Sequence, residues 1–372
     1  MGQQPLRVLQ ILGIVAGGGV EAVIMNYYEH IDRTKVQFDF VIHNDSPVDI
    51  TEKVESMGGK VYKITQYQKN IFGFMSDIYH IIKDNHYTIV HSNMNTLSAF
   101  SLFAAWLAGA KVRILHNHST SVPSETKRNI MKIILRPFAK LFANQYFACS
   151  RLAAEWMYGK KAVDEGKITI INNAIDLDKY AFDKEKRKNL RKQLGIKDDT
   201  FVVGHVGRFM YQKNHEFLID VFAEVVKERP DSILLLVGDG PLRFTIEEKV
   251  RKLGLEKKVL FLGLRSDVQD LYNVMDVFCF PSYYEGLGMV IVEAQANGLP
   301  SVVSTAVPEE AVVYLNLVKR KLLDDGYKSW AEAVSIYSAN GTQRENTQAE
   351  MIQAGFYITR EVDRLIKLYG NF

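Results

Sequence analysis

Two glutamates, eight residues apart, bracket a glycine loop in the second half of this 372-residue chain. Glu285 precedes the loop and Glu293 follows it. The apolar run from Val277 to Phe280 predicts a buried strand, and Gly286 and Gly288 allow backbone N–H groups to approach a ligand closely. A helix that begins after this loop would direct its unpaired N–H groups and its dipole toward an anion such as a diphosphate.

The two carboxylates suit a different part of such a ligand. Because a carboxylate is repelled by a phosphate, we expect Glu285 and Glu293 to accept hydrogen bonds from hydroxyl groups on either side of it. A nucleotide sugar carries such hydroxyl groups on its sugar and on its ribose. The alternative is an ordinary strand, turn and helix with both glutamates on the surface, where glutamate is common.

Two cations follow the strand-like run Phe201–Val206. Arg208 and Lys213 come shortly after the point where this run ends, at Gly207. Ligands of open α/β sheets bind at the carboxyl ends of strands, so we expect both cations near the glycine loop. Arg208 can hold phosphate oxygens with its forked guanidinium, and Lys213 supplies a compact charge. Solvated surface cations are the alternative.

Strand-like runs alternate with segments of helical length, which predicts an α/β fold with parallel sheets. One series ends near residue 172, and a second begins after the charged stretch Asp176–Asp199. We predict an N-terminal domain of residues 1–175 and a C-terminal domain of residues 176–355. The helical stretch of about 356–372 is expected to pack back on the first domain. The charge-rich segment Asp183–Lys192 predicts a solvated helix.

The predicted strands are defined by short apolar runs. They are Arg7–Ile14, Phe38–His43, Lys60–Ile64, Ile89–His91, Val112–His116, Gln145–Ala148, Ile168–Asn172, Phe201–Val206, Ser232–Val237, Val259–Leu262, Val277–Phe280 and Pro300–Ser304.

The composition is that of an ordinary soluble globular protein, with 47% hydrophobic and 24% charged residues. No apolar run is long enough to span a membrane. Cys149 and Cys279 each lie in an apolar run, which indicates buried free thiols and a reducing compartment. The first 175 residues hold 19 Lys and Arg against 14 Asp and Glu, although the whole chain carries only +3. We expect a cytoplasmic protein with no nucleic-acid partner.

Five motifs follow one another between Gly204 and Ala311. They are G-R-x4-K-N, L-x-V-G-D-G-P, F-x-G-x-x-x-D-V, D-x-F-x-x-P-S-x-x-E-G-x-G-x-x-x-x-E-A and A-N-G-L-P. This order resembles the retaining glycosyltransferases of family 4, also called group 1. The resemblance implies the GT-B fold, in which two Rossmann-like domains face each other across a cleft. It also implies transfer of a sugar from a nucleotide diphosphate sugar, a UDP-sugar, to an acceptor hydroxyl with retention, in cell-surface polysaccharide synthesis.

The resemblance also implies roles for individual residues. Arg208 and Lys213 would hold the diphosphate, Glu285 would contact sugar hydroxyls, and Glu293 would contact the ribose. Further donor-binding positions in this half are Gly207, Gly238, Gly263, Leu264, Val268, Gly286, Leu287 and Gly288. We expect no metal and no cofactor besides the nucleotide sugar as co-substrate, because the two cations and the helix dipole would already neutralise the diphosphate. The sequence Asp176–Asp178 imitates a D-x-D metal motif, but it falls at the predicted domain boundary, so we interpret it as structural.

The N-terminal half resembles the family more loosely. Its glycine turn, Ala16–Glu21, corresponds to the turn that the family places near the sugar and the acceptor, and it contains Gly18 and Gly19. A dinucleotide-binding loop is the rival interpretation, but the pattern G-x-G-x-x-G is absent. His116 and His118 close the fifth predicted strand, where the family has one histidine near the anomeric carbon. The sequence leaves open which of the two it is, and a metal-binding pair is the alternative.

Four cations, Arg128, Lys132, Arg136 and Lys140, recur at every fourth residue among apolar residues. Such a basic amphipathic helix can lie on an anionic membrane surface, which would make the protein peripheral to the inner face of the membrane. A helix packed on its own sheet gives the same pattern. The family's acceptors are sugars, frequently lipid-linked.

Two other functions stay open. A sugar-nucleotide epimerase can share the GT-B fold and bind the same donor. A non-catalytic nucleotide-sugar-binding protein would bind the donor without transferring it. The presence of both glutamates together with Arg208 and Lys213 argues against the second alternative.

Overall fold

The computed structural model describes residues 4–120, 126–337 and 344–372, without the side chains of residues 126–128. The chain divides into two compact units. The N-terminal unit comprises Met1–Ala174 and Tyr357–Phe372, and the C-terminal unit comprises Ile175–Phe356. Each unit contains one parallel sheet with helices between its strands.

The elements are numbered in chain order. The strands are β1 Leu6–Gly13, β2 Val36–His43, β3 Val61–Ile64, β4 Ile89–Ser92, β5 Val112–Asn117, β6 Gln145–Ala148, β7 Thr169–Ile170, β8 Phe201–Val206, β9 Ser232–Val237, β10 Val259–Gly263, β11 Val277–Phe280, β12 Ser301–Ser304 and β13 Val318–Lys321. The helices are α1 Gly19–His30, α2 Thr51–Ser56, α3 Ile71–Asp84, α4 Ser98–Leu107, α5 Thr126–Phe142, α6 Arg151–Tyr158, α7 Lys160–Asp164, α8 Leu177–Tyr180, α9 Lys184–Gln193, α10 His215–Glu228, α11 Arg243–Lys252, α12 Val268–Leu271, α13 Met289–Ala296, α14 Gly326–Ser335, α15 Gln348–Gln353 and α16 Ile358–Gly370.

The sheet of the N-terminal unit has seven strands in the order β3-β2-β1-β4-β5-β6-β7. Successive side chains of a strand point to opposite faces, so Val8 and Leu9 of β1 enter two different cores. Since the strand order reverses at β1, the carboxyl ends of β1 and β4 form a switch point where ligands of such sheets bind.

The last helix, α16, belongs to the N-terminal unit. Ile358, Val362, Leu365 and Tyr369 recur at helical spacing and are buried in the same core as Val8. The chain therefore returns to its first unit after the second is complete. Tyr369 is thereby brought to the face of the sheet that carries Gln10 and His91, as described below.

The sheet of the C-terminal unit has six strands in the order β10-β9-β8-β11-β12-β13. Its switch point lies between β8 and β11, which precede the predicted cations and the glycine loop, respectively. The twelve predicted strands are confirmed with small shifts at their ends. β13 was not predicted, because the edge sequence Val-Lys-Arg-Lys has no apolar run.

The charged helix α9 differs from the prediction of a solvated helix. Two of its arginines, Arg187 and Arg191, are buried and pair with the buried carboxylate of Asp276 at 2.5 and 2.7 Å. Asp276 also accepts a hydrogen bond from the backbone N–H of Val202, at 2.8 Å. The outer face of α9 is solvated, but its inner face anchors the helix to the start of β11.

Candidate functional site

The C-terminal unit holds a nearly buried ion pair at its switch point. Nζ of Lys213, on a short 3-10 turn after β8, lies 2.7 Å from Oε1 of Glu285, after β11. Nε2 of Gln212 donates to Oε2 of Glu285 at 3.2 Å and to the backbone oxygen of Tyr284 at 2.9 Å. The ammonium of Lys213 also lies 4.7 Å from the ring centroid of Phe280. These contacts fix both charges at the carboxyl end of the sheet.

Arg208 is placed differently from Lys213. It follows β8 directly, and its side chain is exposed. In residues 4–120, 126–337 and 344–372, its guanidinium has no hydrogen-bond or ion-pair partner. A fork of five N–H donors is therefore presented to solvent at the same strand end that carries the Lys213–Glu285 pair.

The glycine loop leads directly into α13, as the sequence predicts. Gly288 is the N-cap of this helix and has a φ of 83°, which strongly favours glycine. A Cβ at Gly286 would meet no atom within 4 Å, so its backbone is open to an approaching group. Leu287 between them is buried. The first N–H groups of α13, together with the helix dipole, suit an anion at this end.

Glu293 lies on α13 and contacts Tyr272. The hydroxyl of Tyr272 donates to Oε2 of Glu293 at 2.7 Å. Burial raises the pKa of Glu293, while the hydrogen bond from Tyr272 and the charge of Lys213 lower it by less. The carboxylate is therefore less readily ionised than an exposed glutamate, and a hydroxyl that donates to it would favour its charged form.

The remaining predicted positions of this unit divide into two groups. Gly207 and Gly238 allow two strand ends to approach, since a Cβ at Gly238 would lie 2.2 Å from the backbone oxygen of Gly207. Gly263 ends β10 with a φ of 67°, and the side chain of Leu264 after it is 82% exposed. Val268 begins α12 and is partly buried. An exposed leucine at a strand end offers an apolar surface to a flat ligand.

In the N-terminal unit, the glycine turn is held by its own glutamate. Gly18 is the N-cap of α1, and Oε1 of Glu21 accepts hydrogen bonds from the backbone N–H groups of Ala16 and Gly18 at 2.8 and 2.5 Å. These two N–H groups are therefore satisfied within the turn. A Cβ at Gly19 would meet no atom within 4 Å, so the first residue of α1 is open.

Three histidines lie at the carboxyl ends of β4 and β5. Nε2 of His91 lies 3.0 Å from Nδ1 of His116, and the ring centroids of His116 and His118 are 3.9 Å apart. His91 and His116 are buried, whereas His118 is partly buried. The structure thus brings the two predicted histidines together. It also places a third histidine, His91, in contact with His116, and His91 was not singled out from the sequence.

Other polar side chains complete this cluster. Nδ1 of His91 lies 2.6 Å from the hydroxyl of Tyr369, to which Nε2 of Gln10 donates at 3.2 Å. Nε2 of His118 lies 3.0 Å from Oδ1 of Asn93. We call the following six residues the histidine network: Gln10, His91, Asn93, His116, His118 and Tyr369.

The chain matches known proteins along its whole length. The family described as "Glycosyl transferases group 1" matches residues 186–355, and "Glycosyltransferase Family 4" matches residues 17–179. EpsF of Bacillus subtilis (strain 168), which is named as a glycosyltransferase, is 33% identical over 375 residues, covering 100% of this chain and 98% of EpsF. The chain belongs to this glycosyltransferase family.

Two further proteins resemble the glycosyltransferase. The UDP-Gal:alpha-D-GlcNAc-diphosphoundecaprenol alpha-1,3-galactosyltransferase of Escherichia coli is 29% identical over 302 residues, which are 78% of this chain and 77% of the enzyme. The crystal structure of HepE from Anabaena in complex with UDP-glucose matches with a TM-score of 0.80 at 21% identity, covering 98% of this chain and 100% of HepE. The fold is therefore GT-B, with two Rossmann-like units.

Both aspartates of the D-x-D sequence contact other polar side chains of the glycosyltransferase. Asp176 pairs with Lys179 at 3.1 Å, and Oδ1 of Asp178 accepts from Nε2 of Gln348 at 3.3 Å. In the part of the chain that the structure describes, no three His, Cys, Asp or Glu side chains converge as metal ligands would.

The predicted basic helix, α5, presents an apolar face to solvent. Nζ of Lys132 donates to the backbone oxygen of Thr120 at 3.1 Å, and Nη1 of Arg136 donates to that of Trp156 at 2.8 Å. Lys140 is partly buried, and the side chain of Arg128 lies outside the described residues. We call the exposed large residues the α5 apolar face: Ile130, Met131, Ile133, Ile134, Phe138 and Leu141 of α5 with Trp106 and Leu107 of α4.

None of the helices in residues 4–120, 126–337 and 344–372 is both long enough and apolar enough to cross a lipid bilayer.

Several contact residues of the glycosyltransferase were not found from its sequence. Gln212 contacts Glu285, and Tyr272 contacts Glu293. His91 contacts His116, and Tyr369 contacts His91. His91 is the penultimate residue of β4 as His116 is of β5, and this parallel was the available signal. Tyr369 gave no signal, because it lies 278 residues from its partner His91.

Proposed function

We propose that this glycosyltransferase transfers a sugar from a UDP-sugar to an acceptor hydroxyl, with retention at the anomeric carbon and without a metal ion. The arrangement at one strand end of the C-terminal unit carries this proposal. Exposed Arg208, the Lys213–Glu285 pair and the open N-terminus of α13 lie at the carboxyl ends of β8 and β11. Relatives support UDP as the nucleotide, since HepE binds UDP-glucose and the Escherichia coli enzyme is named for UDP-galactose.

The diphosphate is the part of the donor that these charges suit. Arg208 binds its oxygens, Lys213 adds a second positive charge, and the backbone N–H groups at the start of α13 complete the cradle. Because the leaving diphosphate gains negative charge in the transition state, these fixed donors stabilise the transition state more than the ground state. With three such contributors, the cradle needs no divalent cation.

The two glutamates then act on hydroxyl groups. Glu285, held by Lys213 and Gln212, accepts from hydroxyls of the sugar. Glu293, held by Tyr272, accepts from a ribose hydroxyl. Both contacts orient the donor, and neither carboxylate acts as the nucleophile.

Retention follows from attack on the face that the diphosphate leaves. The bond between the anomeric carbon and the diphosphate oxygen breaks, and the acceptor oxygen forms its bond on the same face. The proton of the acceptor hydroxyl passes to the departing diphosphate oxygen, so atoms and charge balance without a protein base. Analysis of the anomeric configuration of the product by NMR tests this step, and an inverted product would refute it.

The acceptor we propose is a sugar or a lipid-linked sugar in cell-surface polysaccharide synthesis. The name of the Escherichia coli enzyme gives a diphosphoundecaprenol-linked GlcNAc as its acceptor. A lipid-linked acceptor would be reached at a membrane surface, and the α5 apolar face favours contact with such a surface.

In the α5 apolar face, eight large apolar side chains of α4 and α5 are exposed on one unit, which exceeds the scattered exposure of ordinary surfaces. Residues 85–150 contain seven Lys and Arg and a single acidic residue, Glu125. We propose that an anionic lipid surface covers this face, with apolar side chains inserted and basic side chains near the headgroups. The protein would then be cytoplasmic and peripheral.

Sedimentation with vesicles tests the lipid contact. At low salt, the protein should bind vesicles that contain phosphatidylglycerol and should bind vesicles of phosphatidylcholine alone less well. No retention on the anionic vesicles would refute the lipid contact. Concentration-dependent dimers without lipid would instead identify a second copy of the chain as the partner.

Incubation with donors separates the proposed function from its alternatives. We first screen UDP, GDP, ADP and their sugars by thermal shift, because a ligand that binds the native state raises the melting temperature. A stabilising donor is then incubated with and without sugar acceptors. Transfer supports the proposal. Isomerisation of the donor without acceptor would indicate an epimerase, and tight binding without transfer or hydrolysis would indicate a non-catalytic binding protein.

A further inference from the structure

The histidine network contains two ring nitrogens that the rest of the described chain does not satisfy. Nε2 of His116 and Nδ1 of His118 are buried and have no hydrogen-bond partner in the described residues. A buried polar group without a partner calls for an explanation, such as a bound water or ion or a role in catalysis. What each nitrogen can bind depends on whether it carries a proton, and the contacts of the network determine this.

The orientation of Asn93 fixes the proton of His118. Nδ2 of Asn93 lies 3.4 Å from the backbone oxygen of His91, and a carbonyl can only accept. The amide nitrogen of Asn93 therefore lies on this side, and its Oδ1 points to His118. Because Oδ1 also only accepts, Nε2 of His118 carries the proton of their 3.0 Å contact. Nδ1 of a neutral His118 is then an acceptor.

Asn93 also fixes the orientation of Gln10, which in turn faces Tyr369. Nδ2 of Asn93 donates to Oε1 of Gln10 at 2.9 Å, so Nε2 of Gln10 is the group that faces Tyr369. Nε2 of Gln10 donates to the hydroxyl oxygen of Tyr369. The hydroxyl proton of Tyr369 is left for its other neighbour, Nδ1 of His91, at 2.6 Å.

The proton of Tyr369 determines the tautomers of His91 and His116. Since Nδ1 of His91 accepts from Tyr369, a neutral His91 carries its proton on Nε2 and donates it to Nδ1 of His116 at 3.0 Å. Nδ1 of His116 is an acceptor, so the proton of a neutral His116 lies on Nε2. The unsatisfied nitrogen of His116 is thus a donor, whereas that of His118 is an acceptor.

Burial favours the neutral state of the three histidines. It lowers the pKa of His91 and of His118 to about 3, and it lowers the pKa of His116 well below its usual value. At neutral pH, all three rings are therefore uncharged, and their tautomers decide what they can bind.

We infer that Tyr369 and His91 are positioning residues that hold His116 in the tautomer with its proton on Nε2. His116 and His118 then form a donor and acceptor pair for one hydroxyl group. The ring centroids of His116 and His118 are 3.9 Å apart, and one sugar hydroxyl can accept from Nε2 of His116 while it donates to Nδ1 of His118. This inference rests on the proposed function, since the hydroxyl belongs to a sugar of the transfer reaction.

Nitrogen NMR of the full chain, labelled with 15N-histidine, measures the tautomer directly. The signals of His116 are identified by their loss in His116→Gln. In the wild-type protein, we expect a protonated Nε2 and an unprotonated Nδ1 for His116. In Tyr369→Phe, Nδ1 of His91 loses its donor, so both tautomers of His91 and His116 should be populated. A proton on Nδ1 of His116 in the wild type would overturn the inference.

Kinetics then separates positioning from a general loss of structure. Tyr369→Phe should lower kcat about tenfold with little change in KM for the donor, because a histidine in the wrong tautomer loses its hydrogen bond to the reacting sugar. Tyr27→Phe is the matched control: it removes a hydroxyl from the same core, where Tyr27 donates to the backbone oxygen of Asn172 at 2.7 Å. It should leave kcat and the tautomer of His116 unchanged. Equal kcat losses in the two variants, or an unchanged tautomer in Tyr369→Phe, would overturn the inference.

The two proposals fail in different ways. A wild-type protein without transfer activity refutes the proposed function, while the NMR measurement still decides the tautomers in the free protein. A wild-type protein that transfers sugar with the opposite His116 tautomer refutes only the inference about Tyr369 and His91.

Discussion

Among single residues, Arg208 and Lys213 carry charges that the structure uses differently. Lys213 neutralises the nearly buried Glu285, while the guanidinium of Arg208 is exposed at the same strand end. Arg208 can therefore bind an anion without losing a partner. Lys213 must serve both Glu285 and the ligand, so its removal should affect stability as well as catalysis.

Replacing either cation tests this difference. Arg208→Ala and Lys213→Ala should each lose about 2–4 kcal/mol of transition-state stabilisation, or about 30- to 1000-fold in kcat/KM. Lys213→Ala should also lower the melting temperature, because it leaves Glu285 without its cation. Kinetics with a UDP-sugar and thermal unfolding measure the two effects.

Lys227→Ala is the control for these variants. Lys227 lies on α10 of the same unit and pairs on the surface with Glu224. It should change neither kcat/KM nor stability by much. Wild-type turnover by Arg208→Ala or Lys213→Ala would remove that residue from the proposed cradle.

Glu293 yields a prediction about pH. Its folded-state pKa is raised, so the native protein binds a proton more readily than the unfolded chain does above the unfolded pKa of about 4.3. The stability that Glu293 contributes therefore falls as the pH rises from its unfolded pKa to its higher folded-state pKa. Glu293→Gln should raise the melting temperature of the ligand-free protein at about pH 7, and the gain should vanish near about pH 4.

The same variant should weaken nucleotide binding about tenfold or more, because an amide is a weaker acceptor for a ribose hydroxyl than a carboxylate. The amide oxygen that Glu293→Gln introduces can still accept from Tyr272, so the local structure should persist. Melting curves across pH and calorimetric titration with UDP check both effects. A stability difference that does not depend on pH would show that the raised pKa of Glu293 does not act as described.

At the scale of elements, α9 shows how a charged helix can be part of a core. Arg191 is buried and contacts Asp276 and several backbone oxygens, among them those of Val274 and Thr200. Arg191→Ala should lower the free energy of unfolding by about 3–5 kcal/mol, because it leaves buried backbone acceptors unpaired and removes one of the two guanidinium groups that pair with the buried Asp276. Lys188→Ala, at an exposed position of α9, should change it little. Urea unfolding compares the two, and equal effects would contradict the burial of Arg191.

The α5 apolar face gives a prediction for a second element. Ile134→Glu places a charge among exposed apolar side chains, so it should weaken binding to anionic vesicles without lowering the melting temperature. Lys184→Glu on α9 changes charge on an exposed position of the other unit and is the control. Sedimentation that shows the same vesicle binding for Ile134→Glu as for the wild type would exclude this face as the lipid contact.

Strands and strand ends could be predicted because they depend on local signals. Apolar runs stop at Gly207 and Pro281, and the glycines after them mark the loops that carry Arg208 and Glu285. Which face of α5 packs against its unit could not be predicted, because this helix carries more apolar residues than the core buries. The two inner arginines of α9 could not be predicted either, since the sequence does not show that Asp276 lies opposite them.

For the whole molecule, the chain forms two Rossmann-like units, and α16 returns to the first. This return brings Tyr369 against His91, a contact that no local pattern could indicate. The motif order of the second half indicates the family, since that order spans most of one sheet. The histidine network depends on residues from β1, β4, β5 and α16, so only the folded chain reveals it.

In the proposed function, the strand end of the C-terminal unit binds the diphosphate of a UDP-sugar. Isothermal titration of UDP into wild-type protein, Arg208→Ala and Lys227→Ala measures this contact. We predict that the wild type and Lys227→Ala bind UDP equally and that Arg208→Ala binds at least about tenfold more weakly. No binding by the wild type, or equal binding by all three proteins, would contradict the account.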